Sequence, residues 1–397
     1  MNQVPFPSIE NLSDVLPHIE GREEFIVSRK DEYTIVCYVV GLQSTFELDE
    51  SDLVGSMIRR ECRGLAFSNS TGELISRPYH KFFNVGEREE THLQNLDVSV
   101  PHVILEKLDG SMIRPIYLEG EKRWRLGTKM GVTEVAMNAE AWIADKVRFL
   151  NLIEECRLIN FTPIFEWCSR QNRIVVDYPE EGLILTALRS NRSGFYLCHA
   201  DMMAFALANN LRSNEVVKII QSGSINQQSL EQIKAWDDGE GVVIRFEGLG
   251  ASRGHMVKVK ADNYVLLHKS KDAISQEKNV IDVIVNDKVD DLLPILSDKD
   301  RETLISFQEK FWMMVDVVAE FLENEYNEGR HISDQKTFAR EFVSSCPKKF
   351  HGFLYHAHKG GDIKNLLIKK ISSSLSSRTK VNEARWMWGG LVWNEAN

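Results

Sequence analysis

Metal and disulfide spacings are what this sequence most plainly lacks. Its six cysteines, Cys37, Cys62, Cys156, Cys168, Cys198 and Cys346, are scattered with no Cys-x-x-Cys pair. That excludes a zinc ribbon and a disulfide framework, and fits a reducing cytoplasm. No apolar run reaches the roughly 18 residues that a membrane-spanning helix needs. The opening residues, Met1-Asn2-Gln3-Val4-Pro5, have neither a basic stretch nor an apolar core, so no secretory leader is expected. There is no Gly-x-x-x-x-Gly-Lys-[Ser/Thr] loop and no Gly-x-Ser-x-Gly turn. Those absences exclude a P-loop kinase and a serine hydrolase of the elbow type. His351, His356 and His358 have no carboxylate or cysteine at ligand spacing and read as surface or packing residues.

What is present suggests two or three domains in 397 residues. The formal net charge is −10, which argues against nucleic acid until its distribution is considered. Residues 281–330 carry 13 Asp+Glu against 5 Lys+Arg, whereas residues 351–397 carry 7 Lys+Arg against 3 Asp+Glu. The basic stretch is either a phosphate-facing surface or a solvated helix face.

The hydrophobic pattern predicts a strand-rich first part. Residues 1–24 read as a leading helix or loop. Strands are expected at 25–27 and 33–40, a hairpin at 65–76, and two or three strands over 103–126 broken by Gly110 and Gly120. A helix is expected over 133–157, then strands at 161–167, 172–177, 183–188 and 194–198. A helical stretch near 201–220 precedes strands at 240–246 and 255–260. Beyond that the pattern turns helical, at 279–296, 300–327, 334–345 and 361–376. We therefore expect an α+β domain over 1–275 and a smaller all-α domain over 276–397.

Lys107-Leu108-Asp109-Gly110-Ser111 is the most informative stretch. A lysine before Asp-Gly, between two apolar strands, is how covalent nucleotidyltransferases present an amine to a nucleoside triphosphate. The same residues also occur in surface turns. A nucleophilic lysine must be neutral, although its ordinary pKa is about 10.4. Burial and neighbouring cations lower it. Met256-Val257-Lys258-Val259-Lys260 alternates strictly, so both lysines share one strand face. That face is a phosphate clamp or a solvated surface. Glu240, at the head of an apolar strand, is a metal or ribose-phosphate ligand or a strand-capping acid. Glu166, between Phe165 and Trp167, needs a partner in apolar surroundings. A ribose hydroxyl, a catalytic cation or Arg173 would serve. His80-Lys81-Phe82-Phe83-Asn84 sets aromatics beside a lysine, as a stacked base near a phosphate cation or as core. Lys129 adds a further cation.

These motifs together resemble the T4-type RNA ligase 1 family of bacteriophages. The resemblance covers about residues 30–291. It rests on Arg63-Gly64, His80-Lys81-Phe82-Phe83-Asn84, Lys107-Leu108-Asp109-Gly110-Ser111, Phe165-Glu166-Trp167 with Asn172-Arg173-Ile174-Val175, Glu240-Gly241, and Val257-Lys258-Val259-Lys260 through Tyr264. It implies an ATP-grasp-like nucleotidyltransferase domain of antiparallel sheets flanked by helices, and a helical domain that selects RNA. It implies an ATP-dependent enzyme joining 5′-phosphate and 3′-hydroxyl RNA ends, with Mg2+, for which Mn2+ substitutes. Lys107 would carry AMP. Glu166, Lys258 and Lys260 would join it in catalysis. Tyr38, Arg63, Lys81, Asp109, Gly110, Lys129, Glu166, Glu240, Lys258, Lys260 and Tyr264 would line the nucleotide site. Glu240, Asp290 and Asp291 would serve the metal. A monomer in the cytoplasm (of an infected host, if phage-encoded) is implied, working in RNA or tRNA repair beside a separate end-healing kinase and phosphatase. Leu108 stands where the family often has an acid. The alternatives are a DNA ligase, a capping guanylyltransferase, and a non-catalytic RNA-binding protein on the same fold. The first two would continue into a strand-rich OB-fold, where this chain turns helical.

Overall fold

Period-two runs of β-branched and aromatic residues set the framework. The computed structural model describes residues 5–171, 173–221, 225–248 and 254–393. Asn172 of the Asn-Arg-Ile-Val run lies outside the described residues. The chain divides into two units, Met1–Val265 and Leu266–Asn397. The division falls inside a helix that already begins at Asp262, ahead of the boundary at 275 expected from the sequence.

The strands in chain order are β1 (Phe25–Arg29), β2 (Tyr33–Tyr38), β3 (Arg63–Ser68), β4 (Leu74–Ser76), β5 (Phe83–Asn84), β6 (His102–Glu106), β7 (Ser111–Leu118), β8 (Arg123–Gly127), β9 (Phe161–Cys168), β10 (Gly182–Ser190), β11 (Ile219–Gln221), β12 (Gly241–Phe246) and β13 (Met256–Lys260). They form three sheets, ordered β1-β2-β3-β4, β10-β9-β7-β8 and β11-β6-β12-β13-β5. Every pair is antiparallel except β13 with β5, which run parallel. Helices α1 (Leu53–Glu61), α2 (Glu134–Ile143), α3 (Val147–Leu158), α4 (His199–Ala208) and α5 (Gln227–Lys234) flank them, and α6 (Asp262–Ser275) follows.

Alternation decides which faces are buried. Ile113, Phe165 and Trp167 of the second sheet pack with Ile143, Phe149 and Leu152 of α2 and α3. Each such side chain contributes roughly 1.5–3 kcal/mol by leaving water. Ile104, Val242, Val257 and Val259 of the third sheet meet Leu230 and Ile233 of α5. A buried ion triad closes the first unit. Glu61 lies 3.1 Å from Arg77 and 2.7 Å from Arg189. Burial would push the Glu61 carboxyl up, but Arg189 and Arg77 outweigh it and hold it below the usual carboxylate range. Arg77 also donates to the Pro7 carbonyl and Arg189 to the Gly194 carbonyl.

Several expected elements change. The helix over 133–157 breaks into α2 and α3 at Lys146, whose φ of −101° and ψ of 77° are non-helical. Its ammonium folds back over the Trp142 ring at 4.1 Å. Of the strand expected at 172–177, the described residues 173–177 form no strand, because Asp109 takes the N–H groups of Val175 and Val176. Around 194–198 only a bridge between Tyr196 and Arg189 forms. The helix expected to reach 220 stops at Ala208, before Asn210 at φ 65°, and β11 follows. Of the helix or loop expected at the start, residues 5–24 take the loop, with short 3-10 turns at Leu12–Asp14 and Leu16–His18.

Among its described residues the second unit is helical beyond α6: α7 (Glu277–Val285), α8 (Val289–Leu292), α9 (Asp298–Gly329), α10 (Gln335–Thr337), α11 (His351–His358), α12 (Ile363–Ser374) and α13 (Arg378–Ala384). Ser297 caps α9 by accepting from the Asp300 N–H. Leu304, Phe307, Phe311, Val315, Ala319 and Leu322 of α9 fall on one buried stripe. The helix expected over 334–345 is present as α10, a π-helical turn at Phe338–Phe342 and a 3-10 turn at Val343–Ser345. His358 stacks on Phe338 at 4.0 Å and His351 lies 2.8 Å from the Cys346 carbonyl, both in packing roles.

Candidate active site

Lys107 leaves the third sheet just after β6. Its N–H donates to the Gly241 carbonyl at 2.9 Å, one step beyond the Glu106–Val242 pair. The chain then crosses to the second sheet through Leu108, Asp109 and Gly110. Asp109 is buried and fully engaged. It accepts the Val175 and Val176 N–H groups at 2.8 Å each and the Tyr264 hydroxyl at 2.6 Å. Its own N–H donates to the Tyr178 hydroxyl at 2.8 Å. Gly110 lies against β9, where a Cβ would come 2.4 Å from the Trp167 carbonyl oxygen. Asp109 and Gly110, expected against the nucleotide, here shape and anchor the loop that carries Lys107. Tyr264 reaches the site through Asp109.

Glu240 lies across from the lysine. Its carboxylate is 2.5 Å from the Lys107 ammonium and 2.9 Å from that of Lys260. One buried acid therefore holds two cations. Gly241 beside it has φ 135°, and a Cβ there would meet the Val259 carbonyl oxygen at 2.1 Å, so only glycine fits. In β13 the valines are buried and both lysines half-buried, which places Lys258 and Lys260 on the site face. Burial, and then the charges of Lys107, Lys81, Arg63 and Lys260, push Lys258 down to about 7. Five cations crowded this closely repel one another unless an anion sits among them. The donor set fits a polyphosphate.

Two aromatic rings frame these cations. Lys81 lies 5.4 Å and Lys129 5.0 Å from the centre of the Tyr38 ring. Arg63 and Lys258 each lie 5.7 Å from that of Phe82. Phe83 is core, whereas Phe82 is half-buried. Glu166 is half-buried in β9, on the face opposite Phe165 and Trp167. Burial raises its carboxyl to about 7; Lys107, Arg63 and the Gly110 N–H pull it down, and Glu240 pushes it up. Arg173 is not its partner, since it lies 3.6 Å from Asp177.

Of the three acids expected at the metal, Glu240 lies beside Lys107 in the first unit. Asp290 and Asp291 are exposed on α8, in the second unit. Among the described residues no group of three or more His, Cys, Asp or Glu stands together as a metal site. Tyr178, which fixes the Asp109 backbone, escaped the sequence reading, because its partner lies 69 residues away and leaves no local signal.

The RNA ligase family matches this chain over residues 61–266. A protein of Thermovibrio ammonificans is 35% identical over 187 residues, covering 47% of this chain and 46% of that one. RNA ligase 1 of bacteriophage TS2126 is 30% identical over 199 residues, covering 49% and 48%. The chain thus spans about half the length of these two relatives. The RNA ligase of Rhodothermus phage RM378 is 24% identical over 387 residues, covering 84% and 86%. The matched span runs unbroken from the buried Glu61 through Lys107 and Glu166 to the two-lysine strand, and on that match the chain belongs to the RNA ligase family.

Proposed function

We propose that this protein joins 5′-phosphate and 3′-hydroxyl ends of RNA at the expense of ATP. The observation that carries the reading is Lys107 held by Glu240 among cations that outnumber the acid and push the Lys258 ammonium down. Lys107 Nζ attacks the α-phosphorus of ATP. A nitrogen–phosphorus bond forms, the bond to pyrophosphate breaks, and the amine loses a proton. Arg63, Lys81, Lys129, Lys258 and Lys260 bind the phosphates and absorb the charge of the departing pyrophosphate. Tyr38 and Phe82 offer faces for the base and ribose. The AMP then passes to the RNA 5′-phosphate, and the 3′-hydroxyl displaces it to seal the strand. Glu166 serves the ribose or the sealing steps. Magnesium, with manganese as a substitute, would be held by the phosphates and by Glu240, and supplies charge neutralisation.

The helical unit is the part to which we assign choice of RNA, with repair of broken RNA, tRNA included, as the setting. Such repair needs a separate kinase and phosphatase to prepare the ends. We place the enzyme in the cytoplasm as a monomer. No helix among the described residues is long and apolar enough to cross a membrane.

The test is transfer of label from [α-32P]ATP to the protein. The intact chain should become labelled with ATP and not with GTP, and Lys107→Ala should take no label. A pre-adenylylated RNA end should still be joined by that variant. Label on Lys107→Ala would end the assignment.

A further inference from the structure

Arg114 is the anomaly of the first unit. It lies in β7 opposite Gly127 of β8 and is 0% exposed. Its Nη2 donates to the Gly64 carbonyl, while Nε and Nη1 are buried without a hydrogen-bond partner. Burial lowers its pKa to about 10, and the groups that push back are the Tyr33 phenol and the Cys37 thiol. No carboxylate pairs with it among the described residues. At neutral pH it is therefore a charged guanidinium without a counter-ion. A charge in that state is costly, and an apolar side chain of similar length would ordinarily leave the fold as stable or more so. Breaches of that kind persist where a site requires them.

The surroundings show what the charge serves. Gly64 has φ 102°, and a Cβ there would come 2.7 Å from the Cα and from the carbonyl oxygen of Lys129. The Gly64 backbone of β3 therefore abuts the backbone of Lys129 in the turn after β8. Arg63 issues from one side of the contact and Lys129 from the other, and Arg114 grips the glycine between them. Lys129, Arg63 and Arg114 all bear on the same buried Cys37 thiol, next to Tyr38. The cationic wall of the site is built on this junction.

We propose that Arg114 is a positioning residue of the nucleotide site, holding Arg63 and Lys129 at the spacing a polyphosphate needs and adding its own unneutralised charge behind them. The inference rests on the ATP reading above. It does not require Arg114 to touch the nucleotide.

The experiment compares the full chain with Arg114→Met, Arg114→Gln and Arg114→Lys. Single-turnover labelling by [α-32P]ATP is followed over a range of ATP concentrations, with a melting temperature for each protein. The Met variant should melt at or above the parent and need about tenfold more ATP for half-saturation, with a plateau rate within about threefold. The Gln variant keeps a donor for Gly64 without the charge and should show the same rise. The Lys variant should return half-saturation to within about threefold of the parent. Half-saturation unchanged in the Met and Gln variants would overturn the proposal. So would a Met variant that fails to fold, or a loss that tracks lowered melting temperature and is not restored by lysine, since each makes Arg114 part of the framework alone. A parent chain that takes no label from ATP would instead sink the nucleotide reading itself.

Discussion

At the residue scale, the site is a set of positive charges with two acids, Glu240 and Glu166, among them, and its behaviour follows from how that charge is balanced. Lys258 titrates near about 7 because burial and four neighbouring cations disfavour its ammonium form. At about pH 8 its amine is then mostly neutral, and a bound phosphate, by favouring the charged form, draws a proton from solvent. Calorimetric titration of ATP at that pH should show proton uptake as a heat that depends on buffer ionisation, and Lys258→Met should abolish it. A heat independent of buffer would contradict this. Lys258→Ala and Lys260→Ala should each slow label formation by the equivalent of roughly 2–4 kcal/mol, as loss of other charge-stabilising donors does. Rates within twofold of the parent would remove the two lysines from the cradle. Glu166 gives a test with the opposite sign. Its folded pKa of about 7 lies above the ordinary 4.5, so between those values the folded state holds a proton that the unfolded state has released. Its contribution to stability therefore falls as pH rises through that window. Glu166→Gln cannot ionise, so its melting temperature relative to the parent should rise between about pH 5 and about pH 8. A difference that stays constant with pH would rule out the shift. Lys258, Lys260 and the acid–apolar conflict at Glu166 were visible in the sequence because each is a local pattern. The task of Asp109 was not, since Tyr264 lies 155 residues away and Val175 lies 66.

At the element scale, the loop from Lys107 to Gly110 is held by contacts from two directions. Tyr264→Phe removes one hydrogen bond to a buried carboxylate and should lower stability by about 1–3 kcal/mol, read from denaturant unfolding. Label formation should slow as well, because the same bond anchors the loop behind the lysine. An unchanged unfolding midpoint would show that the bond contributes nothing. Strands were legible wherever side chains alternate and the backbone finds a sheet partner. The run at 172–177 has the right residues for a strand, yet its backbone donors go to Asp109. Helix α1 was missed for a different reason. Arg59, Arg60 and Glu61 are buried in it beside Met57 and Ile58, so charged residues interrupt the apolar stripe that would mark the helix. The buried ion pairs that justify this join residues far apart in sequence.

At the scale of the whole molecule, every cation of the cradle lies within Met1–Val265, and the helical unit has its own core around Phe311, Leu367 and Trp388. A fragment of residues 1–275 should keep label formation from ATP and lose most RNA joining, measured with end-labelled RNA. Equal joining by the fragment would remove substrate choice from the helical unit. The change from strand-rich to helical pattern was readable from periodicity, whereas the break at Val265 falls within one continuous helix and has no sequence mark. The Glu61–Arg77–Arg189 triad carries one more consequence. It fastens the Pro7 carbonyl, the segment after β4 and the end of β10 to a single acid. As the polypeptide emerges from a ribosome, that acid stands without Arg189 until β10 has been made, and Lys107 stands without Lys258 until β13 has. A nascent chain thus lacks its two-lysine strand until nearly all of the first unit has been synthesised.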